Sequence, residues 1–149
     1  MKIDLLLKIA WLIANAEAKN LGAIEIQPIH FLLAAMKIID PAFPGQLDNL
    51  EIGTEEWASM CKEAQGIRRY IDVLPDRVTL KRRTLRRRLA EKQVVPPVTQ
   101  HGMLHRSEKS RKAFADAAMF SEGEVLTLRQ LIESLFELEM VTLADVDSK

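Results

Sequence analysis

The sequence predicts an all-α fold, a compact bundle of two helical units joined by a basic helical insert. Three observations predict it. Apolar residues recur at helical spacing between turn signals, capping residues stand where the helices would start, and one helix–turn–helix phrase returns about 100 residues further on. Composition fits: 149 residues is the usual size of one domain, and 48% hydrophobic with only 5% aromatic residues suits packing through alanine and leucine. Formal net charge is zero, so bulk charge names no partner.

The first helix begins near Leu5 behind Asp4 as its cap. Leu5, Leu6, Leu7, Ile9, Leu12 and Ile13 cover more than one face, which predicts a buried central helix. Alanines 10, 14, 16 and 18 admit a close neighbour, and Leu21-Gly22 ends the helix because glycine accepts the left-handed conformation of a helix stop. An apolar-polar-apolar stretch, Ile24-Glu25-Ile26, leads to Gln27-Pro28. Pro28 stands in a first turn where no backbone donor is needed, and the second helix is expected from Ile29 to Lys37 or a little beyond.

The same phrase returns later. Ala14 and Ala16 align with Ala115 and Ala117, Gly22 with Gly123 and Ile24 with Val125; after a one-residue gap, Phe31 and Leu32 align with Leu131 and Ile132. Ser107 caps the first helix of the second copy and Thr127 the second. A tandem pair of helical repeats, with small residues in helix one, a glycine turn and an apolar helix two, resembles the Clp repeat. The carrying phrases are Gln27-Pro28-Ile29-His30-Phe31-Leu32-Leu33 and Thr127-Leu128-Arg129-Gln130-Leu131-Ile132, of which His30 and Thr127 keep the polar letters of the family's Thr-Glu-His phrase. The resemblance covers roughly 3–50 and 105–146. It implies a single Clp N-terminal-like domain, with repeat one at about 3–74, a basic helix and linker at 75–104, and repeat two at 105–149.

Between the copies the chain changes character. The turn-rich run Asp40-Pro41-Ala42-Phe43-Pro44-Gly45 stops the second helix. Thr54 then reads as the cap of a third helix with Glu55 and Glu56 in its first turn, carrying Trp57, Met60, Cys61 and Ala64 inward; Gly66 is a point of interruption. From Arg68 to Lys92 the chain carries a net charge of about +7. Val78, Leu85 and Leu89 predict an amphipathic fourth helix with arginine on its other faces, and Val94 to Val98, with Pro96-Pro97, an extended linker.

Arg82, Arg83, Arg86 and Arg87 share one side of that helix and are the candidate partner-binding residues. Such a stripe suits phosphates, and its nucleic-acid affinity would be salt-sensitive. It equally suits carboxylates of a protein partner, through bidentate pairing. A solvated or internally paired face is the third reading, favoured by the lack of interleaved aromatics.

Catalysis and cofactors find no support. His101 and His105 flank Gly102 without a cysteine or carboxylate set for a metal, His30 sits between Ile29 and Phe31 as a structural histidine, and no G-x-x-x-x-G-K-[ST] loop occurs. Cys61, the single cysteine, forms no internal disulfide and reads as a small buried hydrophobe. No catalytic residue, metal or cofactor is expected, and the chain reads as a non-enzyme. Lys2, the apolar stretch and Ala14-Asn15-Ala16 imitate a secretory leader. Asp4 and Lys8 interrupt it and Ala115-Asp116-Ala117 repeats its spacing internally, so a cytoplasmic protein without a membrane span is expected.

The resemblance implies a protein-binding module that receives adaptors or substrate polypeptides for an AAA+ unfoldase, by docking a peptide or helix in a groove beside the first helix of a repeat. Some relatives use the glutamate of the Thr-Glu-His phrase to recognise phosphorylated arginine; Ile29 and Arg129 stand at those positions, so that recognition is not expected here. The family usually continues beyond the helices of copy two. If helices are missing, Leu135, Phe136, Leu138 and Met140 are exposed and favour a homodimer. The runner-up is a regulatory nucleic-acid-binding protein acting through the arginine helix.

Overall fold

A computed structural model describes residues 2–41, 43, 52–71, 77–92, 102–121 and 125–146. In chain order these form β1 (Lys2–Ile3), α1 (Leu5–Asn20), α2 (Pro28–Ile38), α3 (Thr54–Arg68), α4 (Val78–Glu91), α5 (Glu108–Met119), β2 (Val125–Leu126), α6 (Leu128–Glu137) and α7 (Leu143–Val146). The fold is predominantly helical, and its one sheet has two short strands. No described helix is long and apolar enough to cross a membrane. The expected linker at 94–98, Gly123, His101 and the boundary near 74 lie outside the described residues.

The caps are where the sequence puts them. The Leu7 amide donates to Asp4 Oδ1 at 2.8 Å, and the Ser110 amide donates to Ser107 Oγ at 3.1 Å. Helices α2 and α6 both open on capping boxes. The Gln27 amide donates to His30 Nδ1 at 2.8 Å, and the Thr127 amide donates to Gln130 Oε1 at 3.0 Å. Gly22 takes a φ of 72°, the left-handed stop that glycine permits. On α3 the cap is Gly53, not Thr54, which is already helical and makes no capping bond.

The central helix is α2 rather than α1. All of α2 except Ile29 and Lys37 is buried, because α1, α4, α5 and α6 surround it. On α1 the buried side chains include Leu6, Leu7, Ala10, Ala14 and Ala18, while Leu12 is 61% exposed. Counting apolar letters overestimated α1: its small residues face the core at spacings of four, and Leu12 falls on the opposite side. Phe31 of α2 meets Trp11 and Phe114 edge-on, at centroid distances of 6.4 and 5.3 Å, joining α1, α2 and α5.

Two short backbone pairings tie the segments that precede the helices. β1 pairs in parallel with β2, Ile3 opposite Leu126, and Ile26 bridges Arg106. The Asp4 amide donates to the Leu126 carbonyl and the Ser107 amide donates to the Ile26 carbonyl, each at 3.0 Å. The lead-in of α1 thus pairs with that of α6, and the lead-in of α2 with that of α5. An offset of 101 residues sets buried Ala14 against exposed Ala115 and exposed Ala16 against buried Ala117. An offset of 103 sets Asp4 with Ser107, Ala10 with Ala113 and Ala14 with Ala117, and matches cap with cap and buried alanine with buried alanine.

Other expectations need correction. Helix α3 runs through Gly66, and it buries only Met60 and Ile67; Trp57 and Cys61 are exposed at the rim of a narrow apolar cleft between α3, Leu6 and Ile38. The helix turns Met60 and Ile67 inward, seven residues apart, which leaves Trp57 and Cys61 at the margin of the buried stripe. Leu135 is fully buried, and Phe136, Leu138 and Met140 are half-buried, so α6 does not present the exposed apolar face that would favour a homodimer.

Candidate polypeptide-binding groove

The four candidate arginines are unequally exposed: Arg82 and Arg86 are half-buried, Arg83 and Arg87 exposed. Helix α4 buries Val78 and Leu85 against α2, which turns part of the arginine side toward the protein. Arg86 donates from Nε and Nη2 to the two carboxylate oxygens of Glu17, at 3.0 and 2.5 Å, and Glu17 is 5% exposed. Arg82 is half-buried with its Nε and Nη1 lacking acceptors; burial first, and then the charge of Arg86, lower its pKa, against the attraction of Asp40 and Glu17. Arg83 and Arg87 are exposed, with Leu80 at 60% exposure on the same strip. Arg88 reaches Asp145 of α7 at 3.5 Å.

The larger feature is an open groove of about 550 Å³ between α3 and α6, closed at one end by the C-terminus of α5. Ser59, Lys62 and Glu63 of α3 form one wall. Arg129, Glu133 and Glu137 of α6 form the other, and Asp4 and Phe120 complete the ends. The groove continues past Asp4 and Ser59 into a smaller depression of about 370 Å³ bordered by Leu5, Lys8 and Glu56. Phe120 is 69% exposed, and Met119 beside it is also exposed, so an apolar knob stands at a charged trough.

Hydrogen bonds position Glu63, Arg129 and Glu133 in the groove. The Arg129 amide, in the first turn of α6, donates to Glu63 Oε1 at 3.1 Å, and Arg129 Nε donates to Glu133 Oε1 at 2.9 Å, one turn along. Gly66 admits this arrangement: a Cβ built there would stand 2.8 Å from Cδ of Arg129. Burial raises the Glu63 pKa, and the facing Asp4 carboxylate raises it further, to about 8; the backbone donors of Arg129 and Leu128 oppose the shift. Glu63 therefore carries a proton at neutral pH and shares a hydrogen bond with Asp4. Asp4, Glu133 and Glu137 then outweigh Lys62 and Arg129, and the groove has an acidic bias.

Among the described residues no three His, Cys, Asp or Glu side chains converge to hold a metal, and His105 is exposed. His30 is buried and accepts the Gln27 amide bond at Nδ1; burial lowers its pKa to about 4, which keeps it neutral and structural. The sequence singled out Asp4 as a cap and never reached Glu63, Phe120 or Glu133. Glu63 meets Asp4 and the Arg129 amide across long stretches of chain, whereas Glu133 pairs with Arg129 at an i,i+4 spacing that the sequence does carry. Comparisons with protein-family models, with curated proteins and with solved structures found no match.

Proposed function

We propose that the chain is a Clp N-terminal-like protein-binding module, two helical repeats around a pseudo-two-fold, that recruits substrate or adaptor polypeptides to an AAA+ unfoldase. The observation that carries this reading is the reciprocal pairing of lead-ins: Asp4 with Leu126 and Ser107 with Ile26 make the same amide-to-carbonyl bond at the same place ahead of a capped helix. Paired capping boxes at His30 and Gln130 support it. The polypeptide docks in the α3–α6 groove, where an apolar side chain packs on Phe120 and a basic one meets Glu133 and Glu137. The role is binding rather than catalysis, in the cytoplasm.

A fluorescently labelled, permanently unfolded polypeptide titrated with the protein tests this. Phe120→Ser together with Ser59→Arg, which crowds the groove, is expected to weaken binding at least about fivefold with an unchanged melting temperature. Undiminished binding by that variant would overturn the assignment of the groove. The nucleic-acid reading is the weaker one, since Arg86 is committed to Glu17 and only Arg83 and Arg87 of the four stand exposed.

A further inference from the structure

A separate open cavity, of about 410 Å³, shares no lining residue with the groove. It is bordered by Trp11 of α1 and by Met103, Leu104, His105, Arg106 and Arg111, and among the described residues no carboxylate lines it. The Arg106 guanidinium carbon lies 4.7 Å from the Trp11 ring centroid and 4.6 Å from that of Phe114. Rings that hold a guanidinium leave its N–H edge as the polar face it can present. Arg106 takes part in none of the ion pairs formed among the described residues.

The backbone around it is fixed at three points. The Leu104 amide donates to Asn15 Oδ1 at 2.8 Å, the Ile26 amide donates to the His105 carbonyl at 2.9 Å, and the Ser107 amide donates to the Ile26 carbonyl. Arg111 donates from Nη1 to the Arg106 carbonyl at 3.1 Å, which brings a second guanidinium to the rim. Burial and this like charge both lower the Arg106 pKa. Trp11 carries a buried Nε1–H with no acceptor. Two neighbouring cations, one of them held on aromatic rings and neither facing a carboxylate across the cavity, make a site short of negative charge.

We propose that this cavity binds a dianionic phosphomonoester, with Arg106 gripping two oxygens through its planar edge and Arg111 supplying the second charge. Two guanidiniums match a group that carries close to two negative charges and three acceptor oxygens at neutral pH better than they match a monoanion. The phosphate belongs either to a modified side chain of a polypeptide or to a free phosphorylated compound. The site is independent of the groove and of the reading built on it.

The test uses the full chain, labelled with nitrogen-15, at pH 7.5. Phenyl phosphate is titrated while the two indole N–H resonances are followed, Trp57 on α3 serving as the internal control and Trp57→Phe assigning the pair. The Trp11 resonance is expected to shift saturably and the Trp57 resonance to stay in place. Arg106→Gln should weaken the apparent affinity about tenfold or more, and Arg111→Gln, at an exposed position, severalfold. Benzoate, a planar monoanion, should bind about tenfold more weakly. A capped phosphotyrosine peptide that binds more tightly than phenyl phosphate assigns the polypeptide source, and equal binding assigns the free compound. No saturable shift at Trp11, an undiminished response in both arginine variants, or benzoate binding as tightly as phenyl phosphate would overturn the proposal.

Discussion

The Glu17 carboxylate on α1 accepts two hydrogen bonds from one edge of the Arg86 guanidinium on α4. The carboxylate is nearly buried, while Arg86 keeps 39% of its side chain exposed. The pair therefore lies between a surface bridge, worth little, and a buried one, costly to break from one side. Arg86→Met strands the buried carboxylate and is expected to lower stability by about 2 kcal/mol. Adding Glu17→Gln should recover most of that loss. Urea denaturation of the two single variants and the double variant measures the coupling, and additive losses would contradict it.

His30 makes stability depend on acid. Its folded pKa of about 4 lies below the ordinary histidine value of 6.5, so the unfolded chain binds more protons between these limits. Stability is complete above about pH 6.5 and falls as pH drops toward 4. His30→Gln, the residue found at the same capping position in α6, keeps the capping acceptor and removes the titration. Its stability between pH 4 and 6.5 should be flatter than that of the parent chain in a series of urea melts.

Glu63 acts in the opposite direction. Its folded pKa is raised to about 8 from 4.5, so the folded chain binds the extra proton. Its contribution is fully present below about pH 4.5 and is lost as pH rises to 8. Glu63→Gln keeps a donor toward Asp4 and an acceptor for the Arg129 amide without ionising. The variant is expected to be more stable than the parent at pH 8.5 and to lose the decline between pH 5 and 8. A parallel decline in both chains would place the titration elsewhere.

Gly66 lies in the last turn of α3, where glycine costs a helix up to about 1 kcal/mol relative to alanine. The three atoms nearest an added Cβ all belong to the exposed Arg129 side chain, which yields by rotation. Gly66→Ala should therefore stabilise the protein by about 0.5 kcal/mol after the loosened Arg129–Glu133 pair is subtracted. A loss of thermal stability would show that Arg129 is held more firmly than its exposure implies.

The helices and their starts were legible because caps, prolines and glycine stops act over three or four residues: Asp4, Pro28, Ser107 and Thr127 all stand where the local pattern puts them. Burial was less legible. Leu12 reads as core by its letter but lies outside the stripe of Ala10, Ala14 and Ala18, and the enclosure of α2 depends on four other helices. The candidate sites were nearly hidden. Glu63 meets Asp4 and Arg129 across long stretches of chain, and Arg106 meets Trp11 where a backbone bridge to Ile26 holds its segment. The arginine run was visible as charge, but its division into Arg86 paired inward and Arg83 and Arg87 facing out follows from the position of Glu17.

The most direct measurement places a photo-crosslinking residue at Ser59 in the groove or at Arg87 on the arginine helix, in otherwise intact protein. Each is irradiated in nuclease-treated lysate and the adducts are identified by mass spectrometry. The account predicts AAA+ unfoldase subunits or unfolded polypeptides joined at Ser59, surviving nuclease and high salt, and few adducts at Arg87. Adducts confined to Arg87 and abolished by nuclease would contradict it and make the exposed arginines the working surface.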